Sequence, residues 1–189
     1  MKRRAVIAIA TIVGILIVDQ ATKLLVRTSM HLHETIDVLP WFKICYIENN
    51  GMALGMEIGS KLFLTIFRIV AIALIGYYLY GQVKAKTRTG YIVCLAMVVA
   101  GAAGNVIDCM FYGLIFDYAP FMMGRVVDML YFPLIVGAWP SWVPILGGQE
   151  FIFFSPIFNI ADACITVSVF LLIIFYRKEV GSIQLKVKK

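Results

Sequence analysis

Two aspartates, Asp128 in RVVDML and Asp162 in FNIADACI, stand among apolar residues, where an isolated charge is costly. Two carboxyls brought together in a medium of low dielectric cannot both ionise. They share one proton, so that one acts as base on a water molecule and the other as acid. Further polar groups recur at helical spacing around them. Gly101, Gly104, Asn105 and Asp108 follow the i, i+3, i+4, i+7 pattern and draw a stripe of small and polar residues down one helix face. Close helix packing accounts for the glycines as well as any function does, but packing needs neither an amide nor a carboxyl. Asn159, Asp162 and Thr166 repeat the geometry at i, i+3 and i+7. Asn-x-x-Asp ahead of an apolar run also fits a capping box, so Asp162 keeps two readings, helix cap and catalytic group. Asp19 and Lys23, four residues apart, share a face and are able to pair.

No rival chemistry competes with the carboxyls. The chain has no G-x-S-x-G and no H-E-x-x-H, and no histidine falls in an apolar run. His31, His33 and Glu34 could mimic a metal cluster, but no further ligand set accompanies them, and a solvated loop is the plainer reading. Cys45, Cys94, Cys109 and Cys164 have no paired spacing. Neither a metal nor a cofactor is expected.

The elements that must position these groups are membrane helices. Of 189 residues, 61% are apolar and only 15% charged, which excludes an ordinary soluble domain. Four stretches are long and apolar enough to cross a bilayer, approximately 5–26, 62–80, 91–110 and 158–176. They leave outer segments at 27–61 and 111–157 within a single integral membrane domain, 1–189. The MKRR start and the apolar run after it lack a small-residue cleavage site before DQATK, and so read as a retained first span. Lys2, Arg3 and Arg4, then Lys84, Lys86 and Arg88, then Arg177, Lys178, Lys186, Lys188 and Lys189 all fall on one side, the cytoplasm by the positive-inside rule. Both termini are then cytoplasmic. Of the acidic residues only Glu179 shares that side, so the polar chemistry faces outward. The net charge of +6 is spread over short clusters at helix ends, which suits membrane lipids and not nucleic acid.

TIDVL and WFKICYIE, flanking Pro40, predict a small outer β-sheet. Met129 to Leu146 is almost wholly apolar, but Pro133, Pro140 and Pro144 break any helix, and a fifth crossing would invert the basic-residue asymmetry. An interfacial or re-entrant aromatic, proline-rich insert between the third and fourth helices is expected instead. A small proton- or cation-coupled transporter is the alternative function. It calls for mid-span carboxyls, whereas these cluster at outer helix ends. A non-catalytic scaffold would use the same aspartates as a cap and an interfacial charge.

The residues resemble the lipoprotein signal peptidase family, signal peptidase II. DQATK at Asp19 to Lys23, NNGMALG at Asn49 to Gly55, AGAAGNVID ending at Asp108, VVD ending at Asp128 and FNIADACI at Phe158 to Ile165 are similar to its boxes, in the same order. The resemblance implies an all-α membrane aspartic endopeptidase of the bacterial inner membrane with an outward-facing site and Asp128 and Asp162 as its dyad. Asp19, Lys23, Asn49, Gly104, Asn105, Asp108, Asn159 and Ala161 would bind substrate or hold the dyad in place. The implied substrate is a diacylglyceryl-modified prolipoprotein, cut just before its lipidated cysteine by a chain expected to act as a monomer. Cys109 stands where the family usually has an arginine, and Arg125 is the candidate to replace that charge. The connections from Asp108 to Asp128 and from Asp128 to Asp162 are longer than usual for the family.

Overall fold

The computed structural model describes residues 1–50 and 61–181. The chain is mostly helical with a small antiparallel sheet, and it divides into two compact units. A helical unit comprises Met1–Ala21, Asn50–Val126 and Ile160–Lys189, and a sheet unit comprises Thr22–Asn49 and Val127–Asn159. Part of the NNGMALG box lies outside the described residues.

In the helical unit, the apolar runs form α1 (Lys2–Ser29, which continues into the sheet unit), α2 (Lys61–Lys84) and α3 (Thr89–Ile107). The chain continues from α3 through a π-helical segment, Asp108–Tyr112, into α4 (Gly113–Ile115). Among the described residues, α1, α2 and the continuous Thr89–Ile115 helix are long and apolar enough to cross a membrane. The fourth apolar helix, α5 (Ile160–Phe175), is shorter, with 16 residues, or about 24 Å at 1.5 Å per residue. A short α6 (Arg177–Gly181) follows.

The third helix is the core. In its apolar window 61% of residues are buried, against 11% in α1 and in α2. Tyr91, Ile92, Leu95, Ala96 and Val99 of α3 cluster with Ala8 of α1 and Leu79 and Val83 of α2, and Leu172 and Tyr176 pack on that cluster. Outward faces such as Ile9, Val13 and Ile17 of α1, Phe63, Phe67 and Leu74 of α2, and Phe170, Ile173 and Ile174 of α5 stay exposed. Such apolar surfaces are stable against lipid and not against water. Gly101 and Gly104 permit the approach of α5: a Cβ on Gly101 would strike the Ala161 carbonyl and the Ile165 side chain, and one on Gly104 would meet Ala161 and the Asp19 carboxylate.

In the sheet unit, β1 (Thr35–Leu39) and β2 (Phe42–Asn49) pair antiparallel across a turn at Pro40 and Trp41, as the β-branched and aromatic pattern predicts. Lys43 sits opposite Asp37, 2.9 Å from its carboxylate. That hydrogen bond raises the Lys43 pKa above its ordinary value, although an exposed pair of this kind adds little stability. The sheet continues in the order β1-β2-β3-β6, with β3 at Val126–Tyr131 and β6 at Ile157–Phe158. These last strands come from the stretch where the sequence predicts no sheet. β3 is buried along Val126, Val127, Asp128 and Met129, so it lacks the apolar-polar alternation that marks a half-buried strand. The proline-rich insert is a second, two-stranded sheet, β4 (Ile135–Ala138) against β5 (Glu150–Phe153). Its three prolines lie outside both strands, Pro133 before β4, and Pro140 and Pro144 in the connection to β5.

Arg27 joins the C-terminal end of α1 to the sheet. Its guanidinium donates to Tyr46 Oη at 2.6 Å and forms an ion pair with Glu48, whose carboxylate also accepts from Tyr46 Oη at 2.7 Å. The side chains of Arg27 and Glu48 are 13% and 8% exposed. Removing one partner of a buried pair leaves an uncompensated charge, at a cost of roughly 3–5 kcal/mol. Arg27→Met is therefore expected to speed amide hydrogen exchange in β1 and β2 by on the order of 10²-fold or more while α2 and α3 keep their protection. Unchanged exchange in β2 would refute the anchoring role.

Candidate active site

In the sheet unit the site begins with Asp128, at the centre of β3 and only 3% exposed. Each of its carboxylate oxygens has an amide donor. Asn49, the last residue of the neighbouring β2, donates Nδ2 to Oδ2 at 3.1 Å. Asn159, directly after β6, donates Nδ2 to Oδ1 at 2.7 Å and to the Val127 carbonyl at 3.3 Å. The asparagines arrive from opposite sides because β3 lies between β2 and β6. Two donors on separate oxygens fix the plane of the carboxyl.

In the helical unit, Asp162 occupies the first turn of α5, and its Oδ1 accepts from Asn105 Nδ2 on α3 at 2.8 Å. The next group in this unit is Asp19 of α1, fully buried, whose Oδ1 accepts the Ala161 backbone N–H at 3.0 Å. The first N–H groups of a helix have no partner within it. Asp19 satisfies one of them, so a carboxylate from α1 caps α5, while the Nδ2 of Asn159 is turned to Asp128. Thr166 is exposed on α5 and does not extend the polar row.

Sequence reasoning missed Gln20. Its Nε2 donates to Asp108 Oδ1 at 2.8 Å, and also lies 3.2 Å from Asp19 Oδ2 and from the Gly104 carbonyl; its Oε1 accepts from Tyr112 Oη at 3.2 Å. One side chain thus links α1, α3 and the π-helical segment. Gln20 stands inside the DQATK block, so its polarity was visible, but not the distant chain it faces. Lys23, four residues beyond Asp19 on α1, is fully buried. Gly104 and Ala161 are buried at the α3 and α5 approach.

Arg125 and Cys109 differ from the sequence reading in their surroundings. The Arg125 guanidinium lies over the Tyr118 ring, 5.6 Å from its centroid, and its backbone N–H donates to Tyr118 Oη. Arg68 of α2 lies beside Cys109, with Nη1 3.6 Å from the sulfur.

Chemically, each unit presents one carboxyl of the expected pair in a fixed orientation, Asp128 by two amides and Asp162 by one. The sequence also matches the family model described as signal peptidase (SPase) II over residues 11–177. The chain belongs to the signal peptidase II family. This family member is 46% identical over 188 residues to a lipoprotein signal peptidase of Porphyromonas gingivalis, with 91% of this chain and 83% of that protein covered. It is 37% identical over 186 residues to one of Amoebophilus asiaticus, covering 92% of this chain and 77% of that protein. In three dimensions it is similar to a bacterial membrane enzyme solved by the in meso method at 2.3 Å, with TM-score 0.65, 28% identity, and 96% and 94% of the two chains covered.

The carboxyl supports make a graded prediction for this signal peptidase II family chain. Asn159 is fully buried and holds both Asp128 and the Val127 carbonyl, whereas Asn49, which also holds Asp128, is partly exposed. A misplaced reacting group costs up to about 10²-fold in rate. Asn159→Ala is expected to lower kcat/KM further than Asn49→Ala, measured on a lipid-modified precursor peptide in detergent, and also to lower the unfolding temperature. Equal rates for both variants and wild type would remove the positioning role.

Proposed function

We propose that this chain is a membrane aspartic endopeptidase that removes the signal peptide from diacylglyceryl-modified prolipoproteins, cutting just before the lipidated cysteine. The observation that carries the reading is the dedicated amide support of the two carboxyls, Asn49 and Asn159 on Asp128 and Asn105 on Asp162, in a member of the signal peptidase II family. The relatives' common designation as lipoprotein signal peptidases supports the substrate class.

In the proposed reaction the ionised carboxyl takes a proton from water as its oxygen attacks the scissile carbonyl, while the protonated carboxyl donates to that carbonyl oxygen. Collapse of the tetrahedral intermediate breaks the C–N bond: the proton taken from water passes to the leaving amine, and a hydroxyl of the intermediate returns a proton to the other carboxyl as the new carbonyl forms. Neither a metal nor a cofactor enters. The substrate's lipid chains hold its scissile bond at the bilayer surface, which lowers the entropic part of the barrier.

The proposed setting is the bacterial inner membrane, with α5 as a fourth crossing and both termini in the cytoplasm. Lys2, Arg3 and Arg4 at the start of α1, Lys84 at the end of α2, and Arg177 and Lys178 just after α5 support it. The β4 and β5 hairpin serves in this reading as a wall against lipid headgroups. Its connection carries Trp142 at 80% exposure and Ile145 at 93%, and an indole at that exposure suits the membrane interface.

Cleavage of a diacylglyceryl-modified precursor by purified protein tests the dyad. The wild type should cut before the lipidated cysteine, and Asp128→Asn and Asp162→Asn, each verified as folded, should each lose on the order of 10²–10⁴-fold in kcat. Near-normal cleavage by either variant would return that aspartate to a structural role. Deleting 139–148 should leave the protein stably inserted but raise KM for the lipid-modified substrate severalfold. An unchanged KM would reduce the hairpin to an anchor.

A further inference from the structure

Arg68 is the sole charged residue between Leu62 and Tyr80, in the body of α2. It lies seven residues from Lys61, the first residue of the helix, or about 10 Å along its axis. An arginine at such a depth in a membrane helix is costly, and its persistence points to a role in the protein's chemistry. The Arg68 guanidinium donates to the sulfur of Cys109, the second residue of the π-helical segment. Cys109 itself lies within electrostatic range of Arg68, Asp108 and Lys61. Asp108 is fully buried and bonded to Gln20.

The surrounding contacts hold α2 in register with that segment. One turn before Arg68, the Thr65 hydroxyl, 1% exposed, donates to the Met122 carbonyl at 3.2 Å. Met122 N–H donates to the Met110 carbonyl at 3.2 Å, and Gly124 N–H to the Cys109 carbonyl at 2.8 Å. The first turns of α2, the 119–125 loop and the π-helical segment are therefore stitched together, and Arg68 enters between them. A π-helical turn inside an otherwise α-helical span often marks a functional site. Here it begins three residues after Asn105, the amide that holds Asp162.

We infer that Arg68 is a positioning residue of the site, a guanidinium delivered from α2 to the π-helical turn, where the small Cys109 side chain gives it room. An arginine at position 109 itself would bring the same group to the same turn from α3. The cation in this chain comes from the neighbouring helix, and Cys109 and Arg68 form a complementary pair, small side chain against long. Held at Cys109, the Arg68 guanidinium fixes the π-helical turn that follows the stretch from which Asn105 reaches Asp162. Arginine suits the task better than lysine, because the guanidinium is permanently charged, weakly hydrated and presents several donors in one plane.

The inference rests on the cleavage reading above, and the exchange of the two positions tests it. Cleavage of the lipid-modified precursor and thermal unfolding would be compared for wild type, Arg68→Met, Arg68→Lys, Cys109→Arg and the double variant Arg68→Met with Cys109→Arg. Arg68→Met should lose on the order of 10²-fold in kcat/KM, Arg68→Lys should retain part of the activity, and the double variant should regain most of what the single variant lost. Cys109→Arg alone, which crowds two like charges, should fall below the double variant. A merely space-filling Arg68 predicts no rescue from position 109. Wild-type activity in Arg68→Met, or a folded double variant no better than Arg68→Met, would overturn the inference while leaving the cleavage reading intact. Should the single variant fail to fold, recovery of both folding and cleavage in the double variant supports the exchange, and failure of the double variant refutes it. A wild type that cuts no lipid-modified precursor would sink the cleavage reading first, and this inference with it.

Discussion

A carboxylate removed from water must be met by hydrogen-bond donors, and four buried or half-buried aspartates impose that demand on this small membrane protein. The named donors are drawn from distant parts of the chain: Asn49 and Asn159 for Asp128, Asn105 for Asp162, the Ala161 backbone for Asp19 and Gln20 for Asp108. Each bond couples elements that are remote in sequence. Asp19 and Ala161 are separated by 142 residues, and Gln20 and Asp108 by 88. Donor supply therefore sets both the register of the helices and the geometry of the strands. Most of these donors are neutral amides, which orient an oxygen through directed lone-pair contacts.

The small-residue face of α3 is the second constraint, and it depends on the first. Asp19 can reach the first turn of α5 only where α1, α3 and α5 approach closely, and Gly101 and Gly104 provide that approach. The packing reading and the functional reading of this stripe are thus one arrangement, in which glycine admits the neighbouring helix and the adjacent Asn105 holds a group on it. The cap on α5 follows the same logic. The Ala161 N–H is met from α1, and the Asn159 Nδ2 serves Asp128.

The outer segments show how little local pattern a buried strand carries. β1 and β2 were legible because β-branched and aromatic residues flank a proline-bearing turn. β3, buried along Val126 to Met129, has no alternation to read, and β6 is only two residues long. The insert was legible as non-helical from its prolines, but its pairing of Ile135 with Phe153 and of Ala138 with Glu150 spans a connection whose closure no local signal announces. Gln20 and Arg68 were missed for a related reason. Their residue types were plain, but the significance of each depends on a partner on another helix, Asp108 in one case and Cys109 in the other.

By itself the sequence determined the membrane class, the apolar helices and their basic-residue asymmetry, the family resemblance and the polar residues worth watching. These properties are local: hydropathy over about twenty residues, helical spacing and motif order survive in a one-dimensional string. Only the tertiary structure decided that Asp19 caps α5, that Asp128 lies in a strand between two asparagines, and that Arg68 of α2 donates to the Cys109 sulfur while Arg125 lies over the Tyr118 ring. Hydrogen bonds form between atoms a few ångströms apart, whatever their separation along the chain. A donor's identity can be read from the sequence, but its acceptor is settled only when helices and strands pack.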